Sequence, residues 1–246
     1  MQMPTCHAGV RPTEGFSLAD VPLLAGLDPR ELERVHTVGV RRRVLAGAEL
    51  FQEGAEATAL YVLVAGRVRV TRAGPNGRLV VLHFAQPGDV LGCALLGGAC
   101  RYAGTAEVLE DGVVLAFGLP AIRMLVDAMP AISRNALRIL SARMEDLRSR
   151  YQELATDAVE QRLARALLRL RSEAGDTVGD PVILPVSRQA LAELVGSNQY
   201  TVSRTLAAWE RAGWLTTGRQ QVHVGDPQAL ARVVYGSDVG RVALAR

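Results

Sequence analysis

The chain has 246 residues, enough for one large or two ordinary domains, and 49% of them are hydrophobic. No apolar run approaches the ~20 residues of a bilayer span and no signal peptide is recognisable, so no membrane-spanning helix is expected and a soluble, cytoplasmic protein is. The net charge is +3 and all 28 basic side chains are arginine, a balance compatible with nucleic-acid binding, while three cysteines (Cys6, Cys93, Cys100) fit a reducing compartment and are too few for an all-cysteine iron–sulfur cluster.

Residues 1–16 are polar and irregular and read as a flexible N-terminus. Short helices follow, broken at Gly26 and restarted by Asp28 as N-cap with Pro29 in the first turn. From residue 38 to 117 the texture changes to short β-rich runs between glycines: VGVRRRVL, ELFQEG, ALYVLVAG, RVRVTRA, RLVVLHF and VVLAFGL. The GPNG between RVRVTRA and RLVVLHF predicts a hairpin. Strands at this density predict a jelly-roll or β-roll domain over residues 17–128. Its one long insertion, PGDVLGCALLGGACRYAGTAEVL, is glycine-rich, and a loop of that kind is where a small ligand would sit.

A long helix starts after Pro130, within a segment assigned to residues 129–156. Leu137, Leu140, Met144, Leu147, Tyr151 and Leu154 recur at spacings of 3, 4, 3, 4 and 3, with charges on the other faces. So narrow a seam favours the same helix of a second chain over the wider stripe that packing on a β-barrel requires. A hinge is expected near residues 155–158, then a helix over 159–171 with Leu163, Ala166, Leu167 and Leu170 inward.

Residues 157–226 form the third region. Ser187 can cap a helix carrying Leu191, Leu194 and Val195 on one face, and Gly196 ends it. A second helix buries Val202, Leu206 and Trp209. It presents Ser197, Asn198, Gln199, Tyr200, Ser203 and Arg204, amides, hydroxyls and one cation suited to reading base edges. Two short strands around Gly218-Arg219 form a wing that places Arg219 near a phosphate backbone. Residues 227–246 are a tail that begins as a helix. Without the wing and the glycine turn, the two-helix pattern would be an ordinary hairpin.

The order of these parts resembles the catabolite-activator/fumarate–nitrate-regulator (CRP/FNR) family of bacterial transcription factors over residues 23–224. It is carried by ELFQEG, LYVLVAGRVRV, PGDVLG, TAEVLED before VVLAF, and VGSNQYTVSRTLAAWERAGWL. The implied fold is α+β: an N-terminal β-roll of the cyclic-nucleotide-binding type, a dimerisation helix and a C-terminal winged helix-turn-helix. The implied function is sequence-specific regulation of transcription by a homodimer on double-stranded, palindromic DNA, with RNA polymerase as a further partner. Matched position by position, Gln199, Tyr200 and Arg204 fall where the family reads bases. Arg188, Ser197, Thr201 and Ser203 fall where it meets phosphates or supports the helix. Tyr200 stands where glutamate is commonest and Gln199 where arginine is frequent, so a different operator is implied.

The same resemblance places an effector pocket at Gly92, Cys93, Ala94, Leu95, Arg101, Tyr102 and Thr105. Cyclic-nucleotide binders carry a Gly-Glu pair for the ribose and an Arg-Ser or Arg-Thr pair for the phosphate. Here Cys93 replaces the glutamate, Tyr102 holds the arginine's position and Arg101 sits one residue early. Classical cyclic AMP binding is therefore not expected unless Arg101 is rearranged. Haem ligation by Cys6, His7, His36, His83, Cys93 or Cys100, thiol chemistry at Cys93 and Cys100, and action without an effector all stay open. Buried, inert cysteines are the plainest reading. No catalytic or metal-ligand set appears, since no His-x-His pair exists. The competing function is a cyclic-nucleotide-binding module that does not read DNA.

Overall fold

The computed structural model describes residues 16–74, 79–173 and 182–235. Cys6, His7, most of the GPNG turn, the loop after the second long helix and the end of the tail lie outside them. Contacts divide the chain into two units, Met1–Glu145 and Asp146–Arg246.

In the first unit, two 3-10 turns (Leu18–Asp20 and Pro22–Leu24) precede α1 (Pro29–Val38). Asp28 accepts from the N–H groups of Arg30 and Glu31, each at 2.8 Å, while Glu31 accepts from the Asp28 N–H at 2.8 Å. This reciprocal cap satisfies donors that a helix start otherwise leaves unpaired.

Six strands follow: β1 (Val40–Val44), β2 (Glu49–Phe51), β3 (Ala59–Ala73), β4 (Leu79–Ala85), β5 (Val90–Leu91) and β6 (Thr105–Gly118). They form one antiparallel sheet in the order β1-β6-β3-β4, with β2 paired to β6 and β5 to β3. Two sequence expectations change here. ALYVLVAG and RVRVTRA are one strand of 15 residues, and TAEVL belongs to β6 rather than to the insertion. Gly66, at φ +91°, and Gly112 explain why neither strand breaks. The pairing register shifts beside them, and a Cβ on Gly112 would collide with the Ala65 carbonyl oxygen. Glycine thus absorbs the bulge and lets two long strands bend while staying paired.

The unbroken run LYVLV is buried on both faces. Leu60, Val62 and Val64 share a core with Val21, Leu23, Phe117, Ile122, Met129 and Ile132, whereas Tyr61 and Leu63 share another with Val68, Val70, Val114 and Ala116. Two-sided burial, not alternation, is what such a run encodes. Then come α2 (Leu119–Ala128) and the 27-residue α3 (Pro130–Thr156). Buried Asn135 of α3 donates to the carbonyls of Leu23 (3.1 Å) and Ala25 (2.8 Å), which fastens the N-terminal turns to the helix.

In the second unit, Asp157 and Ala158 separate the end of α3 from α4 (Val159–Glu173). The segment expected to hinge is held by several bonds. Asp157 pairs with Arg165 at 2.9 Å, Glu153 with Arg169 at 2.6 Å, and Arg162 donates to the carbonyls of Asp157 (2.8 Å) and Val195 (3.0 Å). Leu163, Ala166, Leu167 and Leu170 are buried, as the periodicity predicts, and α4 packs against the helices that follow. Those are α5 (Arg188–Leu194), α6 (Gln199–Arg211) and α7 (Pro227–Tyr235). A sheet of β7 (Val182–Leu184), β9 (Gln221–Val224) and β8 (Leu215–Gly218), in that order, completes the unit.

Gly196 ends α5's turn at φ +63°, and a Cβ there would sit 3.0 Å from Leu154 Cδ2. Both the left-handed backbone and the close approach select glycine. Gly196→Ala is expected to destabilise this unit by about 1–2 kcal/mol. Urea unfolding of the full chain checks this through the shift in its midpoint, with a wild-type midpoint contradicting it.

Candidate functional site

The interface begins with how α5 and α6 are started. Ser187 Oγ accepts from the Ala190 N–H at 3.0 Å, and Asn198 Oδ1 accepts from the Thr201 N–H at 2.8 Å. Asn198, read as part of the polar surface, therefore has its side-chain oxygen engaged in the helix cap. With both starts set, Val202, Thr205, Leu206 and Trp209 turn inward and are buried. Gln199, Tyr200 and Arg204 are exposed on the other side, Tyr200 at 76%, while Ser197, Thr201 and Ser203 are half-buried beside them. The Arg204 side chain has no hydrogen-bond or ionic partner among the described residues. This surface combines amide, phenol, hydroxyl and guanidinium groups, which can donate to and accept from base edges.

The wing is a two-residue hairpin. Gly218 pairs with Gln221, leaving Arg219 and Gln220 at the tip, where Gln220 adopts φ +62° and Arg219 is exposed. Sequence reasoning missed what joins the wing to the helices. Arg188 Nη2, from the first residue of α5, donates to Thr217 Oγ1 at 2.8 Å, and Thr217 donates through its N–H to Glu210 Oε1 at 2.8 Å. Nothing in the spacing of residues 188, 210 and 217 announces that contact.

In the roll, Tyr102 is buried, and its ring stacks on Phe51 at 4.0 Å between centroids. Its hydroxyl donates to the Ala59 carbonyl at 2.7 Å and accepts from the Ala59 N–H at 3.1 Å. Gly92 lies against this ring: a Cβ there would be 3.3 Å from Tyr102 and 3.2 Å from the Ala59 carbonyl. Burial first, then the neighbouring Tyr102, raises the pKa of Tyr61 above the ordinary phenol value, against the opposing pull of Arg42. Arg101 is exposed and donates to the Gly54 carbonyl at 2.6 Å. Thr105 accepts from the Glu53 N–H at 3.0 Å, Leu95 is buried and Ala94 is exposed.

Cys93 is buried and accepts from Arg143 Nη1 of α3 at 3.1 Å, while Arg143 Nη2 donates to the Val90 carbonyl at 2.8 Å. Asp89 is close by. Burial lifts its carboxyl above the usual range, opposed by the Gln86 N–H and by Arg143. Cys93 and Cys100 are both free thiols, the second exposed. His36 is exposed and His83 half-buried. Among the described residues no three His, Cys, Asp or Glu side chains are grouped to hold a metal ion, and no helix is long and apolar enough to cross a membrane.

The α3 stripe divides. Leu140 packs on the roll's core, whereas Leu137, Met144, Leu147, Tyr151 and Leu154 are exposed, from 48% at Leu147 to 76% at Tyr151. Apolar side chains in such a row are what a partner helix covers.

Comparison with known proteins accords with both units. Residues 41–128 match the cyclic nucleotide-binding domain family and residues 161–233 the Crp-like helix-turn-helix domain family. The transcriptional regulator LdrP of Thermus thermophilus is 35% identical over 187 residues, 74% of this chain and 91% of its own. The CRP-like cAMP-activated global transcriptional regulator of Mycobacterium tuberculosis is 27% identical over 226 residues, 91% and 93% of the two chains. A crystal structure of a CRP-family transcriptional regulator from Thermus thermophilus superposes with a TM-score of 0.66 at 30% identity, covering 80% of this chain and 97% of that one. A β-roll, a long helix and a helix-turn-helix with its wing, shared nearly end to end with such regulators, make this chain a member of the CRP/FNR family of transcription regulators.

Proposed function

We propose that two copies of the chain pair along the α3 stripe and place their α6 helices in major-groove half-sites of one palindromic operator, about one helical turn apart. The observation that carries this is the outward face of α6. Gln199, Tyr200 and Arg204 are exposed there over a fully buried Val202 and Leu206, with Arg219 exposed at the wing's tip. Arg204 is the base-reading cation, Gln199 and Tyr200 read beside it, and Ser197, Thr201, Ser203, Arg188 and Arg219 serve the backbone. A tyrosine at 200 donates and accepts through one hydroxyl and carries no charge, so the operator differs from one read by a carboxylate there. Membership in a family of transcription regulators supports RNA polymerase as the downstream partner and the cytoplasm as the compartment.

The roll acts in this reading without a cyclic nucleotide. A buried cyclic phosphate needs a cation and a ribose needs an acceptor. The tyrosine at 102 is hydrogen-bonded to Ala59, the cation at 101 reaches Gly54, and position 93 offers a thiol already met by Arg143. The cAMP-activated relative matches over most of the chain, and positions 93, 101 and 102 depart from the pattern that the family resemblance implies for cyclic-nucleotide binders.

Arg204→Ala is expected to lose about 1–3 kcal/mol of discrimination per half-site between a duplex selected from a random library and its scrambled counterpart, with a smaller loss of total affinity. Fluorescence anisotropy at fixed salt measures both, and undiminished discrimination rejects the assignment. Leu147→Arg puts a charge into each side of the proposed seam, so native mass spectrometry should show monomer where the wild type shows dimer; a stable mutant dimer places the interface elsewhere. Cyclic AMP at about 1 mM is expected to leave the thermal midpoint unchanged, whereas a binder with a Kd near 10 μM would add roughly 2.7 kcal/mol of stability.

A further inference from the structure

We propose that Thr217 and Glu210 are positioning residues for the DNA contact, holding the Arg188 guanidinium ready for a backbone phosphate and locking the wing to the recognition helix. The inference rests on the reading that α5, α6 and the wing meet one duplex.

Three elements converge on one hydroxyl. Arg188 opens α5, Thr217 lies in β8 and Glu210 stands near the end of α6. Arg188 Nη2 reaches Thr217 Oγ1 at 2.8 Å, and that oxygen lies 3.3 and 3.2 Å from the two carboxylate oxygens of Glu210. Guanidinium only donates and carboxylate only accepts. The threonine hydroxyl must therefore accept from Arg188 and donate to Glu210, so its proton has one orientation. The Thr217 N–H donates to the same carboxylate at 2.8 Å, which fixes the strand as well as the side chain.

This chain of bonds holds an exposed arginine without neutralising it directly. A carboxylate touching Arg188 would compete with a phosphate for the same N–H groups. A hydroxyl placed between them takes one donor and leaves the rest of the guanidinium fork to the solvent side. Arg188 is exposed, while Thr217 and Glu210 are half-buried, so the supports are sheltered and the contact group is presented. Ordering the arginine in the free protein removes part of the entropy that phosphate binding would otherwise cost.

The test is a double-mutant cycle in the full-length chain, using the library-selected duplex and its scrambled counterpart over a range of salt. Thr217→Val keeps the β-branched shape and the backbone N–H but deletes the hydroxyl. It is expected to weaken binding to both duplexes about 3- to 10-fold, with the ratio between them and the salt slope unchanged. Arg188→Ala is expected to weaken binding and to flatten the log–log salt slope by about 1 per subunit. The double variant should match Arg188→Ala alone, and Thr217→Ser should restore wild-type binding. A Thr217→Val effect that adds fully to that of Arg188→Ala, or one that Thr217→Ser fails to rescue, overturns the positioning role. An Arg188→Ala protein with wild-type affinity and slope instead removes the phosphate contact on which the proposal stands. If Thr217→Val proves too unstable to assay, the comparison of Thr217→Ser with Glu210→Leu, which keeps the stem and removes the acceptor, decides. Glu210→Leu should weaken both duplexes by a similar 3- to 10-fold while Thr217→Ser does not, and wild-type binding by Glu210→Leu overturns the proposal.

Discussion

Burial of Val202, Leu206 and Trp209 along one side of α6 is the constraint on which the proposed DNA-reading surface depends. Two of these side chains are fully buried, and Trp209 stacks with Trp214 at 6.1 Å between ring centroids. A helix anchored by residues four and three apart cannot rotate about its axis without exposing one of them. Each buried side chain of this size is worth about 1.5–3 kcal/mol relative to solvent. The rotation of α6 is therefore set by apolar contacts that never meet the duplex. The outward set of Gln199, Tyr200 and Arg204 is the geometric remainder. The caps refine the same placement: Asn198 fixes where the helix begins, and Gly196 fixes the angle at which the chain enters it.

The roll obeys a different constraint, the pairing of β3 with β6 over nearly their whole length. That pairing sets the Ala59 backbone, and Ala59 bonds Tyr102 through both its N–H and its carbonyl. The aromatic ring is thus held by strand backbone as well as by its stacking on Phe51. Displacing it for a ligand would leave two half-buried backbone groups to find new partners, at less than the roughly 1–3 kcal/mol that each would cost if fully buried. The domain has the family's architecture, and Tyr102, Arg101 and Cys93 are each engaged by partners of this chain. Architecture and ligand preference are separable, because the first depends on glycines and β-branched residues and the second on a few polar side chains.

Much of this was legible in the sequence where the physics is local. Asp28 and Ser187 cap within three residues of themselves and Gly196 turns its own backbone, so these local roles follow from residue type. The buried faces of α4 and α6 follow from periodicity. The strand lengths were not legible. Gly66 and Gly112 look like chain breaks until their partner strand is known, and a bulge exists only between two strands. Arg101 and Tyr102 could be counted as out of place, but where each goes depends on Gly54 and Ala59, more than forty residues away. The Arg188–Thr217–Glu210 network has the same character. Arg143 is among the charges that spacing places off the apolar stripe of α3, and the structure turns it onto Cys93 and the Val90 carbonyl. Spacing along one helix cannot show what a neighbouring loop presents to it.

The energetics of the α3 stripe bear on how a dimer of this chain would behave. Leu137, Met144, Leu147, Tyr151 and Leu154 are each half or more exposed, apart from Leu147 at 48%. Covering the exposed part of a large apolar side chain is worth about half of the 1.5–3 kcal/mol for full burial, so the ten such side chains of two copies supply on the order of 10 kcal/mol. Association itself costs about 4–15 kcal/mol. The stripe alone therefore comes close to balance, and contacts elsewhere decide how tight the pair is. A palindromic operator supplies such contacts, because two linked recognition helices bind its half-sites with a high effective concentration. Pairing and DNA binding are then thermodynamically linked: whatever strengthens one strengthens the other by the same factor. Through that linkage the concentrations of the protein and of its operator would both bear on occupancy.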